Sequence, residues 1–127
     1  MQHMVAGRTN AASQITKPYV ILISSDGFRY DYAEKYNAQH LLKLRSSGVK
    51  AKSMIPSFPS VTYPNHYTVA TGLYPSHHGL VYNQFYDRSR QSSYNISDRK
   101  TVEDGTWYGG TPIWVLAEQQ AMLTASY

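Results

Sequence analysis

The chain has 127 residues, enough for one domain with a modest hydrophobic core. Its 42% hydrophobic and 16% charged residues are ordinary for a globular protein, and the lack of cysteine excludes disulfides, thiolate metal sites and cysteine nucleophiles within these residues. The net charge of +4 is mildly basic, but no run of lysine or arginine forms a patch, so charge does not indicate nucleic-acid binding.

The chain opens with a polar segment, residues 1–17, which we expect to be a flexible leader ahead of a domain at 18–127. This segment lacks the apolar stretch of a signal peptide, and no apolar run in the chain is long enough for a membrane span. The next residues, Tyr19 to Ser25, are apolar and end in two serines, which predicts a strand buried on both faces as in a parallel sheet. Asp26 and Gly27 follow directly.

The remaining periodic segments alternate between helix and strand. Gly48 and Gly72 are stop signals for two of the helices. The pattern predicts helices at 31–47, 63–71 and 112–120, strands at 49–55 and 80–86, a polar excursion or hairpin at 87–105, and a further apolar run at 121–126. This order is typical of an α/β domain with a mostly parallel sheet flanked by helices.

Two polar residues lie where such a fold carries chemistry. Asp26 is at the carboxyl end of the first predicted strand, where open α/β sheets bind ligands, although Asp-Gly is also common in turns. Thr62 lies at the start of a predicted helix, where unpaired backbone N–H groups favour an anion. The local pattern alone favours a helix cap for Thr62, because threonine is a good N-cap and its hydroxyl attacks poorly unless a base or metal lowers its pKa.

Several blocks of the chain, taken together, resemble one known family. They are Val20 to Arg29, Pro59 to His66, Thr71 to Pro75, His78-Gly79 with Asn83, and Gly109 to Trp114. In this order they are similar to the nucleotide pyrophosphatase/phosphodiesterase family of the alkaline phosphatase superfamily. The resemblance implies an alkaline-phosphatase-like fold and a two-zinc hydrolase of phosphodiester or pyrophosphate bonds in nucleotide-type substrates.

The resemblance also implies roles for single residues. Asp26 matches a metal ligand, and Thr62 matches a nucleophile that also binds zinc and forms a phosphothreonine intermediate. Asn83 matches the residue that hydrogen-bonds a non-bridging phosphoryl oxygen, and Tyr63 matches an aromatic residue that packs against the substrate. None of His66, His77 and His78 matches a zinc ligand, so we interpret them as packing or turn residues.

Two zinc ions need about six to eight protein ligands, and Asp26 and Thr62 supply two. We therefore expect residues 18–127 to be the N-terminal part of a truncated catalytic domain that is inactive alone. The alternatives are a non-catalytic α/β module, or a phosphomonoesterase or sulfatase-like member of the same superfamily. The resemblance implies a periplasmic or secreted protein with a small phosphodiester or nucleotide substrate, and leaves the particular substrate and the oligomeric state open.

Overall fold

A computed structural model describes residues 9–127. Short helices dominate these residues, and one antiparallel hairpin supplies the only sheet among them. The helices are α1 (Tyr32–Lys35), α2 (Gln39–Ser47), α3 (Thr62–Thr71), α4 (Pro75–His78), α5 (Arg99–Glu103) and α6 (Ile113–Gln119), with 3-10 turns at Ala12–Gln14 and Gly105–Trp107; the strands are β1 (Gln84–Asp87) and β2 (Ser92–Asn95).

The hairpin is closed by a short polar turn. Gln84 pairs with Asn95 and Asp87 with Ser92, so the strands stay in register along their whole length. The Asp87 carboxylate accepts hydrogen bonds from the backbone N–H groups of Ser89 and Arg90, which organises the turn. The hairpin predicted for the polar stretch is confirmed, although β1 begins before that stretch.

The core is an aromatic cluster between the hairpin and α3. Leu80, Tyr94 and Trp107 are buried at its centre. Around them pack Tyr63, Tyr67, Phe85, Ile96, Val102 and Tyr108. The Tyr94 and Tyr108 hydroxyls lie 3.0 Å apart, and the Tyr108 hydroxyl donates to the Val102 carbonyl, so the polar tips of the buried rings are satisfied. The cluster fixes α3 against the hairpin.

Helix α3 begins and ends for identifiable reasons. Val61 has an extended backbone and acts as its N-cap residue, without a side-chain cap. Gly72 ends the helix at φ 70°, a left-handed conformation that glycine adopts without a Cβ penalty, and its N–H donates to the Thr68 carbonyl. The Gly72 stop signal in the sequence is confirmed.

A buried histidine ties α3 to α4. His78 is fully buried, and its Nδ1 accepts a hydrogen bond from the Leu80 N–H. Its Nε2 lies 3.2 Å from the Pro64 carbonyl and 3.1 Å from the Thr68 hydroxyl. These partners require the neutral Nε2–H tautomer. The interpretation of His78 as a packing residue is confirmed.

Replacing His78 with asparagine should lower the free energy of unfolding by about 1–3 kcal/mol, because the buried Pro64 carbonyl and Leu80 N–H lose their partner. Burial lowers the pKa of His78 below its ordinary 6.5, so the unfolded chain binds a proton there before the folded chain does. The stabilisation is complete above pH 6.5 and is lost as the pH falls toward the lowered pKa. Denaturant unfolding across this pH range should show that acid lowers the free energy of unfolding less in His78→Asn than in the unsubstituted protein.

The matched control for this prediction is His77→Asn. His77 is its neighbour in α4 but is exposed, so its replacement should change stability by less than about 0.5 kcal/mol. An equal effect of the two substitutions would contradict the role of the buried network.

The predicted parallel sheet is not confirmed in the part of the chain that the structure describes. The apolar segments at 19–25, 49–55 and 121–126 form no strand there, and Tyr19, Val20 and Ile23 are each more than 80% exposed. A strand needs neighbouring backbone to accept and donate its hydrogen bonds, and no described element flanks these segments. Apolar composition therefore identifies segments that are suited to burial, but it does not identify the strands that would pair with them.

The prediction of one continuous helix over 31–47 is wrong. The segment is divided into α1 and α2 at residues 36–38, where Asn37 has φ 50°, a left-handed value that interrupts a helix. The helix predicted over 112–120 is confirmed in type but begins at Ile113, with Pro112 as its N-cap residue. Arg99–Glu103 forms a helix within the stretch predicted as polar excursion, with the Asp98 side chain capping it.

The predicted leader lies partly outside the described residues, which begin at 9. Within them, the Ala11 N–H donates to the Ala121 carbonyl, and the Gln14 side chain donates to the Gln120 carbonyl. Between residues 9 and 127, no helix combines the length and apolarity that crossing a bilayer requires.

Candidate active site

The candidate site lies where the end of the 19–25 segment meets the first turn of α3. Asp26 leaves this segment just before Gly27, whose φ of 63° turns the chain sharply. The Asp26 side chain is 64% exposed, so its carboxylate is open to solvent or a ligand. Thr62 is the first residue of α3 and is half-buried.

The Thr62 hydroxyl is not a helix cap. Val61 occupies the N-cap position, and no side chain caps α3 there. The hydroxyl instead donates to Asp26 Oδ2 across 3.3 Å. Capping, which the local sequence favoured, is therefore wrong, and the Thr62 oxygen faces the carboxylate predicted to share its site.

Asn65 holds the loop that delivers Thr62. Its Nδ2 donates to the carbonyls of Pro59 and Val61, each 2.9 Å away, and its Oδ1 accepts from the Ser57 N–H. The Asn65 side chain thus hydrogen-bonds three backbone groups of the segment that precedes the helix and fixes its path. Sequence reasoning missed this residue, although an asparagine three positions after a helix start is well placed to bond the preceding loop.

Asn83 lies at the N-terminus of the same helix. Its Oδ1 accepts a hydrogen bond of 3.0 Å from the Tyr63 N–H, one of the backbone donors that a helix start leaves unpaired. Because this contact uses the amide oxygen, the amide nitrogen keeps its two hydrogens, and they have no acceptor within residues 9–127. The structure therefore brings Asn83 to the first turn that carries Thr62.

Tyr63 contacts both the core, through its ring, and the candidate site, through its backbone. Its ring is half-buried and lies 6.4 Å from the Tyr94 ring, centroid to centroid, while its backbone meets Asn83. The packing against Tyr94 fixes the ring beside the first turn of α3. Trp107 is buried in the aromatic cluster and belongs to the core.

His66 and Ser24 join the site, and sequence reasoning missed both. His66 Nδ1 lies 2.6 Å from the Ser24 hydroxyl, and His66 Nε2 lies 3.8 Å from Asp26 Oδ1. The contact with Ser24 agrees with the interpretation of His66 as a residue that hydrogen-bonds within the fold, and its approach to Asp26 was not predicted. Its spacing of four from Thr62 puts the two side chains on one face of α3, which is the signal that the sequence contained.

The residues present fit a shared metal ion in part. Two oxygens bound to one tetrahedral zinc at about 2.1 Å lie about 3.4 Å apart, close to the 3.3 Å between Asp26 Oδ2 and Thr62 Oγ1. Across the described residues, however, no three histidine, aspartate or glutamate side chains converge on one point. Asp26 and Thr62 could therefore supply two ligands of one metal ion, which leaves its coordination incomplete.

Within residues 9–127, no lysine or arginine side chain is directed at this pair. Arg29, the one basic residue near Asp26 in sequence, forms an ion pair of 3.0 Å with Asp31 and lies over the Tyr30 ring. The site therefore combines an exposed carboxylate, a hydroxyl at a helix start and a neutral amide.

Comparison with known proteins identifies the family. The sequence profile of type I phosphodiesterases / nucleotide pyrophosphatases matches residues 20–127, and the chain belongs to this family. It is 42% identical over 123 residues to an uncharacterized pyrophosphatase/phosphodiesterase of Schizosaccharomyces pombe, covering 96% of the chain and 25% of that protein.

Two further relatives carry functional names. The chain is 38% identical over 112 residues to ectonucleotide pyrophosphatase/phosphodiesterase family member 3 of Bos taurus, covering 87% of the chain and 13% of that protein. It is 37% identical over 124 residues to venom phosphodiesterase 2 of Crotalus adamanteus, covering 96% of the chain and 15% of that protein. The chain thus spans a quarter or less of the length of these relatives.

Proposed function

We propose that the polypeptide containing this chain hydrolyses phosphodiester or pyrophosphate bonds of nucleotide-type substrates, with Thr62 as the nucleophile. The observation that carries the proposal is the Thr62 hydroxyl, which is free of capping and lies 3.3 Å from the Asp26 carboxylate at a helix N-terminus. Membership of the phosphodiesterase family and the names of two relatives support the same reaction.

Asp26 and Thr62 are proposed to hold one of two zinc ions. When bound, zinc lowers the pKa of a coordinated hydroxyl and offsets negative charge on phosphoryl and leaving-group oxygens. We propose that the ligands still needed, including those of the second ion, come from residues outside these 127.

The proposed reaction has two displacements. In the first, the Thr62 hydroxyl loses its proton to solvent and its oxygen attacks phosphorus, the bond from phosphorus to the leaving oxygen breaks, and the leaving oxygen takes up a proton; the product is a phosphothreonine that is still esterified to the retained group of the substrate. In the second, water attacks phosphorus, the bond to the Thr62 oxygen breaks, Thr62 regains its proton and the retained group leaves as a phosphate monoester. The reaction proceeds in line, so the nucleophile must stay fixed, and the three hydrogen bonds of Asn65 to the preceding loop fix it.

Asn83 and the helix start are proposed to bind the non-bridging phosphoryl oxygens. The Asn83 amide nitrogen has two free hydrogens beside Thr62, and the helix dipole adds partial positive charge. A diester carries one fewer phosphoryl charge than a monoester, so a neutral donor suits it. The absence of any cation aimed at Thr62 from the described residues favours the diesterase over the monoesterase alternative, and a threonine at 62 in a chain without cysteine disfavours a sulfatase.

Tyr63 is proposed to pack its accessible ring edge against the substrate, on either the leaving or the retained group. Because its other side rests on Tyr94, the ring is held in place before the substrate binds. By analogy with relatives named as ectonucleotide and venom enzymes, we also propose a site of action outside the cytoplasm, in a periplasm or after secretion.

The test is an assay with defined metal content. A polypeptide extended to the length of the relatives should hydrolyse a chromogenic nucleotide diester faster than the matching monoester, lose activity on chelation and recover it with zinc. The 127-residue chain should show no turnover and bind less than two zinc ions per chain. Zinc-independent hydrolysis by the extended protein, or a preference for the monoester, would overturn the proposed reaction.

A further inference from the structure

His66 lies between Ser24 and Asp26, and its two ring nitrogens have different neighbours. Nδ1 lies 2.6 Å from the Ser24 hydroxyl, while Nε2 lies 3.8 Å from Asp26 Oδ1. A carboxylate can only accept, so a favourable contact requires the ring hydrogen on Nε2. In the neutral ring Nδ1 is then an acceptor, and the Ser24 hydroxyl is its donor. The Ser24 hydroxyl, which can donate or accept, is compatible with this tautomer.

The geometry gives each Asp26 oxygen its own neighbour. Oδ1 faces His66, and Oδ2 accepts the Thr62 hydroxyl across 3.3 Å. The Nε2 contact is longer than a hydrogen bond, as is common for catalytic groups before ligands bind. The 64% exposed carboxylate makes no other side-chain hydrogen bond or ion pair in the described part of the chain.

We propose that His66, supported by Ser24, is a positioning residue that orients the Asp26 carboxylate so that Oδ2 meets Thr62 and the metal. This inference rests on the proposed function and deepens it, because it assigns a task to two residues outside the nucleophile, the metal ligands and the phosphoryl donor. Polar partners behind a ligand fix its orientation, and their loss typically lowers metal affinity or activity by about 10–100-fold.

Two substitutions of His66 separate positioning from packing. The amide nitrogen of glutamine reaches the place of Nε2, whereas that of asparagine reaches only the place of Nδ1. In the extended polypeptide, His66→Asn should weaken zinc binding and lower kcat, each by about 10–100-fold, with little change in KM. His66→Gln should restore most of both losses, because it keeps a donor for Asp26.

Substitutions of Ser24 provide an independent test, because Ser24 lies outside α3 and its replacement leaves the helix intact. Ser24→Ala should cause a smaller loss in the same two quantities, and Ser24→Thr, which keeps the hydroxyl, should restore them. The matched control is His77→Asn, at an exposed histidine whose ring hydrogen-bonds the Ser76 hydroxyl at 3.4 Å. It should bind zinc and turn over substrate like the unsubstituted protein.

Zinc affinity is measured by competition with a chromogenic chelator, and kcat and KM with a chromogenic nucleotide diester. Unchanged zinc affinity in His66→Asn and Ser24→Ala, or equal values for His66→Asn and His66→Gln, would overturn the positioning role. An inactive unsubstituted protein, or one whose activity survives Thr62→Ala, would instead refute the proposed function, so the two failures are distinguishable.

Discussion

Thr62→Ala should abolish hydrolysis of a nucleotide diester, lowering kcat in the extended polypeptide by roughly 10⁴–10⁶-fold, the range seen when a nucleophile is removed. The substitution deletes the oxygen that faces Asp26, so no covalent bond to phosphorus can form at this position. Val61 provides the N-cap position and Asn65 holds the preceding loop, so the helix should start normally without the hydroxyl. The measurement is kcat and KM with the zinc content matched between proteins.

Thr62→Ser is the informative companion because it keeps the oxygen and removes only a methyl group. It should retain hydrolysis at a reduced rate, and acid quenching during turnover should trap on residue 62 a phosphoryl group with the retained part of the substrate attached, which mass spectrometry can locate. Thr16→Ala, at an exposed threonine far along the chain, serves as the control and should leave kcat unchanged. The same group trapped on another residue, or a Thr62→Ala variant with ordinary turnover, would disprove the assigned nucleophile.

Asn83→Asp should lower kcat for a diester by roughly 10²–10³-fold, as expected when a single donor to a developing oxyanion is lost. Aspartate keeps an oxygen for the Tyr63 N–H but replaces the free amide hydrogens with negative charge. The helix start should be preserved, and even favoured, because carboxylates stabilise helix N-termini. The variant therefore separates binding of the phosphoryl group from support of the helix.

Asn83→Ala completes this comparison by removing both functions. It should lose activity as Asn83→Asp does and also unfold at lower denaturant concentration, because the Tyr63 N–H loses its acceptor. The control is Asn95→Asp, where another asparagine oxygen accepts a backbone N–H, that of Ser97, away from the site. Unimpaired turnover in Asn83→Asp would show that Asn83 supports the helix alone.

Local signals in the sequence predicted helix α3 better than they predicted the sheet. Helix α3 and its Gly72 ending follow from spacing and glycine chemistry within a dozen residues, and the approach of Asp26 to Thr62 followed from the family blocks. The sheet depends on pairing between distant segments. The 19–25 segment has the composition of a buried strand, but its partners are not among the described residues.

The roles of individual polar residues were predicted less evenly. Thr62 is the first residue of α3, one position after the N-cap residue Val61. The backbone angles of Val61 decide this difference, and amino-acid composition does not predict them. His66 and His78 both belong to helices, yet His66 faces a carboxylate and His78 is buried beside the Pro64 carbonyl. Only the path of the chain decides which neighbour each histidine meets.

Asn83 directly precedes β1, and its side chain grips the first turn of α3. Because β1 continues directly from Asn83 into the aromatic core, the position of the amide proposed to bind the phosphoryl group depends on interior packing. A substitution that disturbs the stacked rings of Phe85 and Tyr94 should therefore affect catalysis although neither ring meets the substrate.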